Sequence, residues 1–222
     1  MNEYIMLLSS ASIFSGLNRE EILSMLSCMQ ARCRSFKKGE YVLRQGQELE
    51  ELLILLSGSL HIRQDDYWGN RSILGTVEPG EMFGESYACS DSGPIMNDVA
   101  ALSDSVVLFL NTQRVLKQCG NSCPFHAAVI ENLFKAISGK NRALVQKLGH
   151  MSRRSTREKL ISYLSSEAKK QGKAEFVIPF KRQQLADYLS VDRSAMSSEL
   201  GRMKAEGLIE FNREHFILYH KE

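Results

Sequence analysis

The residues of this chain best placed to do chemistry lie between positions 181 and 213, and the chemistry they suit is contact with nucleic acid. Two helix-forming segments, KRQQLADYL (181–189) and DRSAMSSELGRMKAEG (192–207), are separated only by Ser190 and Val191, the spacing of a helix-turn-helix. On the second, Met196, Leu200 and Met203 share one face and Asp192 is placed to cap the N-terminus. The opposite face is centred near Ser194 and Ser198, with Ser197, Gly201 and Arg202 beside them and Arg193 at the helix start. Small polar side chains and a glycine let a helix approach a major groove closely, and Arg193 can reach base edges or phosphates. The runs LIEFN and HFILYH flank Asn212, Arg213 and Glu214, which predicts a β-hairpin wing. Arg213 there, and Lys181 ahead of the first helix, suit phosphate contacts. A solvated polar face on a small helical domain would look similar in outline.

A second group is CGNSCPFH, in which Cys119, Cys123 and His126 stand as Cys-x3-Cys-x2-His; Cys28 and Cys33 form another pair. Such spacing is compatible with a metal, an iron-sulfur cluster or a redox disulfide, and a redox- or metal-sensing regulator is the alternative it supports. Buried cysteines are commonly just small hydrophobes, so no metal is assigned. Nothing points to an enzyme. His61 is the only histidine between residues 35 and 112, no His-x-His pair occurs, and neither GxSxG nor GxxxxGK[ST] is found.

Three kinds of element must position these groups. Residues 16–30 have helical periodicity after Asn18 with Glu21 three on, a capping-box pattern. From about 35 to 112 the period changes to short β-like runs, YVL, LLILL, LHIR, SILGTV and VVLFL, punctuated by turn residues. Regular short strands imply a sandwich or barrel, with residues 60–77 as a hairpin turning near Gly69 and Asn70. Pro124 then opens a long helix over 125–151 whose Ile130, Ile137, Leu144 and Met151 are spaced by seven, with Leu133 and Leu148 in the same stripe. That stripe predicts a homodimer seam. Ser155 and Glu158 form a second capping box that starts a new helix, followed by a short strand FVIP (176–179).

The expected organisation is α+β: a β-barrel domain (1–124), a dimerisation helix (125–151) and a winged helix-turn-helix (152–222). At 222 residues, 43% of them hydrophobic, the chain can build two cores without staples. The net charge of +2 hides an asymmetry: residues 150–222 hold 14 Lys and Arg against 10 Asp and Glu, while residues 1–149 are net acidic. The basic excess falls where nucleic acid would be met. No apolar run could span a bilayer and no basic leader precedes one, so a cytoplasmic location with no membrane partner is expected. Five cysteines without framework spacing suggest reduced thiols.

The order of these parts, with the strings KKGEYVLRQGQ (37–47), LSGSLHI (56–62), EPGEMFGE (78–85) and RQQLADYLSVDRSAMSSELGRMKAEGLI (182–209), resembles the CRP/FNR (catabolite activator/fumarate-nitrate regulator) family over about residues 10–220. The resemblance implies a cyclic-nucleotide-binding-type jelly roll, a dimer, and effector-controlled binding to palindromic double-stranded DNA, with RNA polymerase as a partner if the protein activates. It places Arg193, Ser194, Ser197 and Ser198 at DNA-contacting positions. The best-known members carry Glu and Arg where Ser194 and Ser198 stand, so the operator should differ. In members that bind cyclic AMP, a Gly-Glu turn resembling Gly84 and Glu85 meets the ribose and an Arg-Ser pair meets the phosphate. Here those latter places fall near Ile95 and Met96, and the adenine-reading places near Leu144 and Val145. An anionic phosphate without a cation is costly, so cyclic AMP is not the expected ligand. A small effector of unknown identity in the same cavity would be lined by Met82, Phe83, Tyr87, Met96 and Leu144, with Glu85 as a turn carboxylate. A ligand-binding module that acts on a protein partner is a further alternative. No cofactor is indicated.

Overall fold

The computed structural model describes residues 2–65, 67–68, 71–90, 93–116 and 124–219. It divides into two units, residues 1–138 and 139–222, which share one long helix.

The first unit opens with α1 (Ile5–Ser10) and α2 (Arg19–Cys28). The α2 start follows the predicted box: Asn18 Oδ1 accepts from the Glu21 N–H at 3.0 Å and a Glu21 carboxylate oxygen accepts from the Asn18 N–H at 2.8 Å. The strands are β1 (Arg32–Phe36), β2 (Tyr41–Leu43), β3 (Glu51–Ser57), β4 (Leu60–Asp65), β5 (Arg71–Val77), β6 (Met82–Phe83), then, after α3 (Glu85–Ala88), β7 (Asp98–Ala101) and β8 (Ser105–Asn111). They form two four-stranded antiparallel sheets, ordered β1-β8-β3-β6 and β2-β7-β4-β5, the layout of a jelly roll. β4 pairs with β5 from Leu60↔Val77 to Asp65↔Arg71, as the hairpin reading required. The turn at Gly69 and Asn70 lies outside the described residues.

ELLILLS does not alternate because β3 is buried on both faces. Leu53 and Leu55 join Phe36, Leu60, Val99 and Phe109 in one core, whereas Leu52, Ile54 and Leu56 pack with the helices in another. That second core also takes Val129 and Leu133 from α5 (Pro124–Met151), which follows α4 (Thr112–Leu116). The Asn132 side-chain amide adds a donor to the Ser15 carbonyl at 2.7 Å. The first half of α5 therefore packs as part of the β unit.

The second unit takes the rest of α5, then α6 (Thr156–Gln171), β9 (Glu175–Val177), α7 (Arg182–Leu189), α8 (Arg193–Ala205), β10 (Ile209–Asn212) and β11 (His215–Leu218). Ser155 Oγ accepts from the Glu158 N–H at 3.1 Å, and the Glu158 carboxylate accepts from the Ser155 N–H at 3.2 Å. β11 pairs with both β10 and β9, giving a three-stranded sheet beside the helices. The last turn of α5 is anchored here through His150, which is 7% exposed and shares a 2.8 Å hydrogen bond with Ser162 Oγ. Its ring packs against Tyr163 and Tyr188, and burial depresses its pKa.

Candidate nucleic-acid interface

α7 stops where Ser190 adopts φ 51°, ψ 61°, and the chain turns into α8 within three residues. Asp192 Oδ1 accepts from the Ala195 N–H at 2.8 Å. That cap fixes the helix start and points the positive end of its dipole outward beside Arg193 and Ser194. Met196, Leu200 and Met203 are buried with Leu185, Ala186 and Leu189 of α7 and Leu160, Tyr163 and Leu164 of α6. Their burial leaves Arg193, Ser194, Ala195, Ser197, Ser198, Gly201 and Arg202 on the open face.

Two of these are less available than their exposure suggests. Ser197 Oγ donates to its own helix, to the Arg193 carbonyl at 2.9 Å. Arg202 lies 3.1 Å from Glu199. Glu199, passed over in the sequence, is 8% exposed and also meets Arg157 of α6 at 3.4 Å. Arg157 in turn grips Glu206, beyond the end of α8, through both carboxylate oxygens. The α8 carboxylate is thus turned away from the open face and neutralised. The Glu199/Arg202 spacing was legible in the sequence; the pairing with Arg157, 42 residues away, was not.

Lys181 is exposed at the start of α7, where Gln184 accepts from its backbone N–H at 2.8 Å. Its neighbour Arg182 is structural: the guanidinium sits 4.8 Å from the Phe211 ring centre and 5.2 Å from that of Phe216. It pins the wing to α7, and burial lowers its pKa. Arg213 occupies the tip of the wing at φ 53°, a left-handed conformation that costs a side-chain-bearing residue about 1 kcal/mol. Arg213→Gly should therefore stabilise the winged unit, by up to about 1 kcal/mol, while weakening DNA binding. Thermal unfolding and a salt titration of binding would read both effects. An Arg213→Gly protein that is less stable yet binds DNA as before would contradict this.

In the β unit, Met82 and Phe83 are adjacent on β6 and both buried, but they enter different cores. They cannot line one cavity, which corrects the sequence expectation. Gly84 has φ 78°, the left-handed turn conformation that favours glycine, and an added Cβ would also press on the leucine methyls of Leu49 at 2.7 Å and Leu53 at 3.1 Å. Glu85 begins α3. Tyr87 Oη accepts from the Met96 N–H at 3.3 Å, while the Met96 side chain is 61% exposed.

On α5, Leu133 is buried in the β unit's core and Ile130 and Ile137 are half-buried; Leu144 and Leu148 are exposed and Met151 is half-buried. Phe134, beside buried Leu133 and outside the seven-residue spacing of the isoleucines, is exposed. His126 is buried, and its Nε2 lies 2.6 Å from the Arg114 carbonyl, to which it donates. Cys119 and Cys123 lie outside the described residues. Cys28 and Cys89 are half-buried and Cys33 is exposed. Burial raises the pKa of Cys33 and Cys89, the reverse of an activated thiolate. Among the described residues, no three His, Cys, Asp or Glu side chains gather as a metal site.

A Crp-like helix-turn-helix domain model matches residues 158–221, and a cyclic nucleotide-binding domain model matches residues 33–122. The chain belongs to the CRP/FNR family. Members of that family are transcription regulators. Among curated relatives, this CRP/FNR chain is 23% identical over 207 residues to electron transport regulator A of Shewanella oneidensis, covering 91% of this chain and 80% of that protein. It is 26% identical over 112 residues to mouse cGMP-dependent protein kinase 2, covering 50% of this chain but spanning only 14% of the kinase. Among solved structures, OCPA-complexed CprK is similar with a TM-score of 0.65 and 16% identity, covering 90% of this chain and 92% of that one. Ile95 is 3% exposed in the core between the sheets, and neither it nor Met96 carries charge.

Proposed function

We propose that this CRP/FNR chain is a homodimeric DNA-binding transcription regulator, controlled by a small effector and acting in the cytoplasm. Its α8 reads a palindromic operator in the major groove. The observation that carries this reading is the open face of α8, where a capped N-terminus presents Arg193, Ser194 and Ser198 while every large apolar residue of the helix is turned inward. Ser194 and Ser198 face base edges, Arg193 a guanine, and Lys181 and Arg213 the phosphates. The α8 of a second copy reads the other half-site, about one helical turn away. RNA polymerase is the further partner if the protein activates. Among the described residues no helix is long and apolar enough to cross a membrane.

Binding-site selection at one fixed salt concentration tests the assignment. Ser194→Ala and Ser198→Ala should change the preferred bases, at about 1–3 kcal/mol per important contact. Arg213→Ala should weaken all sequences alike and lower the salt slope by about one. If Arg213→Ala rewrites the preferred site while both serine variants leave it untouched, α8 is not the reading element. The effector is not cyclic AMP: calorimetry should detect no binding, because Ile95 and Met96 offer the phosphate no cation. Micromolar affinity would overturn that part of the reading.

A further inference from the structure

The exposed side chains of α5 form a tighter pattern than the apolar stripe alone suggested. Phe134, Leu144 and Leu148 are 73%, 59% and 63% exposed. With Ile130, Ile137, Asn141 and Met151 they recur in alternating steps of four and three, at 130, 134, 137, 141, 144, 148 and 151. This is an uninterrupted coiled-coil register in which 134, 141 and 148 are a positions and 137, 144 and 151 are d positions. Leu133 falls out of the seam and into the β unit's core. One a position is polar: Asn141, exposed and near the middle of the seam.

We propose that Asn141 is the register-setting contact of this protein, pairing with Asn141 of a second copy in a parallel, in-register α5 dimer. The occupant of the apolar face follows from pairing chemistry. In a parallel pair, a positions meet a positions, so each Asn141 amide donates to the other's carbonyl oxygen. An antiparallel pair or a shifted register sets Asn141 against Leu, Ile or Phe and leaves a buried amide without a partner, which is costly. The flanking charges agree. Lys140 and Lys147 occupy g positions, which face g positions of the partner in an antiparallel pair and would set lysine against lysine. In the parallel pair each faces the e position five residues on, Val145 for Lys140 and Ser152, just past the helix end, for Lys147, and neither is charged. A parallel pair also brings the two segments that follow α5, each with its winged helix, to one end, as a two-fold operator requires. The inference rests on the dimeric reading above and adds to it the residue that selects one dimer from the alternatives.

The test uses the full-length chain. Asn141→Cys is oxidised mildly alongside wild type, which reports the five native cysteines, and Arg142→Cys, one residue off the seam. Asn141→Cys should form a disulfide-linked dimer at least about ten times faster than either control, because an in-register a position faces its own copy across the seam at disulfide reach whereas position 142 points away from it. Asn141→Leu, followed by sedimentation velocity, should tighten self-association about tenfold or more and add assemblies other than the single dimer. A wild-type monomer, an Asn141→Cys dimer that links no faster than Arg142→Cys, or an Asn141→Leu protein with unchanged association would each overturn the proposal. A gel shift on the same proteins separates the two readings. Fast linkage without DNA binding leaves the register assignment standing and removes the regulator reading; DNA binding by a dimer that does not link does the reverse.

Discussion

Leu144→Asp combined with Leu148→Asp should give a folded monomer whose affinity for a full palindrome is lower by about 10²–10⁴-fold. The size follows from linkage between half-sites: once one winged helix of a dimer is bound, the second binds from an effective concentration far above that of free protein, and a monomer loses this advantage entirely. Both leucines are more than half exposed, so the monomer's own packing loses little. Two carboxylates on each copy, placed in an apolar seam and brought face to face with those of the other, oppose association through desolvation and like-charge repulsion. Sedimentation with a circular-dichroism melt would show the monomer and its intact fold, and binding to full and half operators would show the loss confined to the full site. A double variant that remains dimeric at micromolar concentration would mean the copies meet elsewhere.

Gly58→Ala should cripple the β unit, at about 2–5 kcal/mol. Gly58 links β3 to β4 at φ 89°, and an added Cβ would stand 2.2 Å from Ser105 Oγ, 2.6 Å from the Asp104 carbonyl oxygen and 2.7 Å from Ser105 Cα. The serine hydroxyl can swing aside, but the other two atoms are backbone, and β8 begins at Ser105. The left-handed conformation costs about 1–2 kcal/mol for alanine, and forcing the strand start away adds about 1–3 more. Gly46→Ala is the control, with φ 87° and nothing within 4 Å of the added methyl, so it should carry the conformational cost alone. The two variants should differ clearly in thermal midpoint; equal shifts would show that the β3–β4 corner relaxes freely.

What could be read in the sequence followed the strength of local signals. The two capping boxes, the long helix opened by proline and the helix-turn-helix were legible because each is written within a few residues. The short strands were not: RCRSF has no apolar period, with only Phe36 buried, and Met82–Phe83 is two residues long. Pairing with β8 and β3 makes them strands, and that information is non-local. On α5, Leu133 and Phe134 are both apolar, and only the packing of the core shows that Leu133 is covered and Phe134 open. At the interface, residue types fixed the open face of α8, but not the inward turn of Glu199 or the back-bonded Ser197. The cavity lining failed for a simple reason: adjacent residues on a strand point to opposite sides, so Met82 and Phe83 were never candidates for one wall.

The division of labour within α8 bears on how such a protein changes over generations. Met196, Leu200, Met203 and Glu199 secure the helix to its unit, whereas Ser194 and Ser198 lie exposed on its open face. On the proposed reading, mutations at positions 194 and 198 should alter which DNA is preferred with little toll on foldability. A combinatorial library at 193, 194 and 198 should consequently return mostly soluble, folded proteins with divergent operators, while one at 196, 199 and 200 should return mostly insoluble ones. Retargeting this scaffold is a search over a few surface letters.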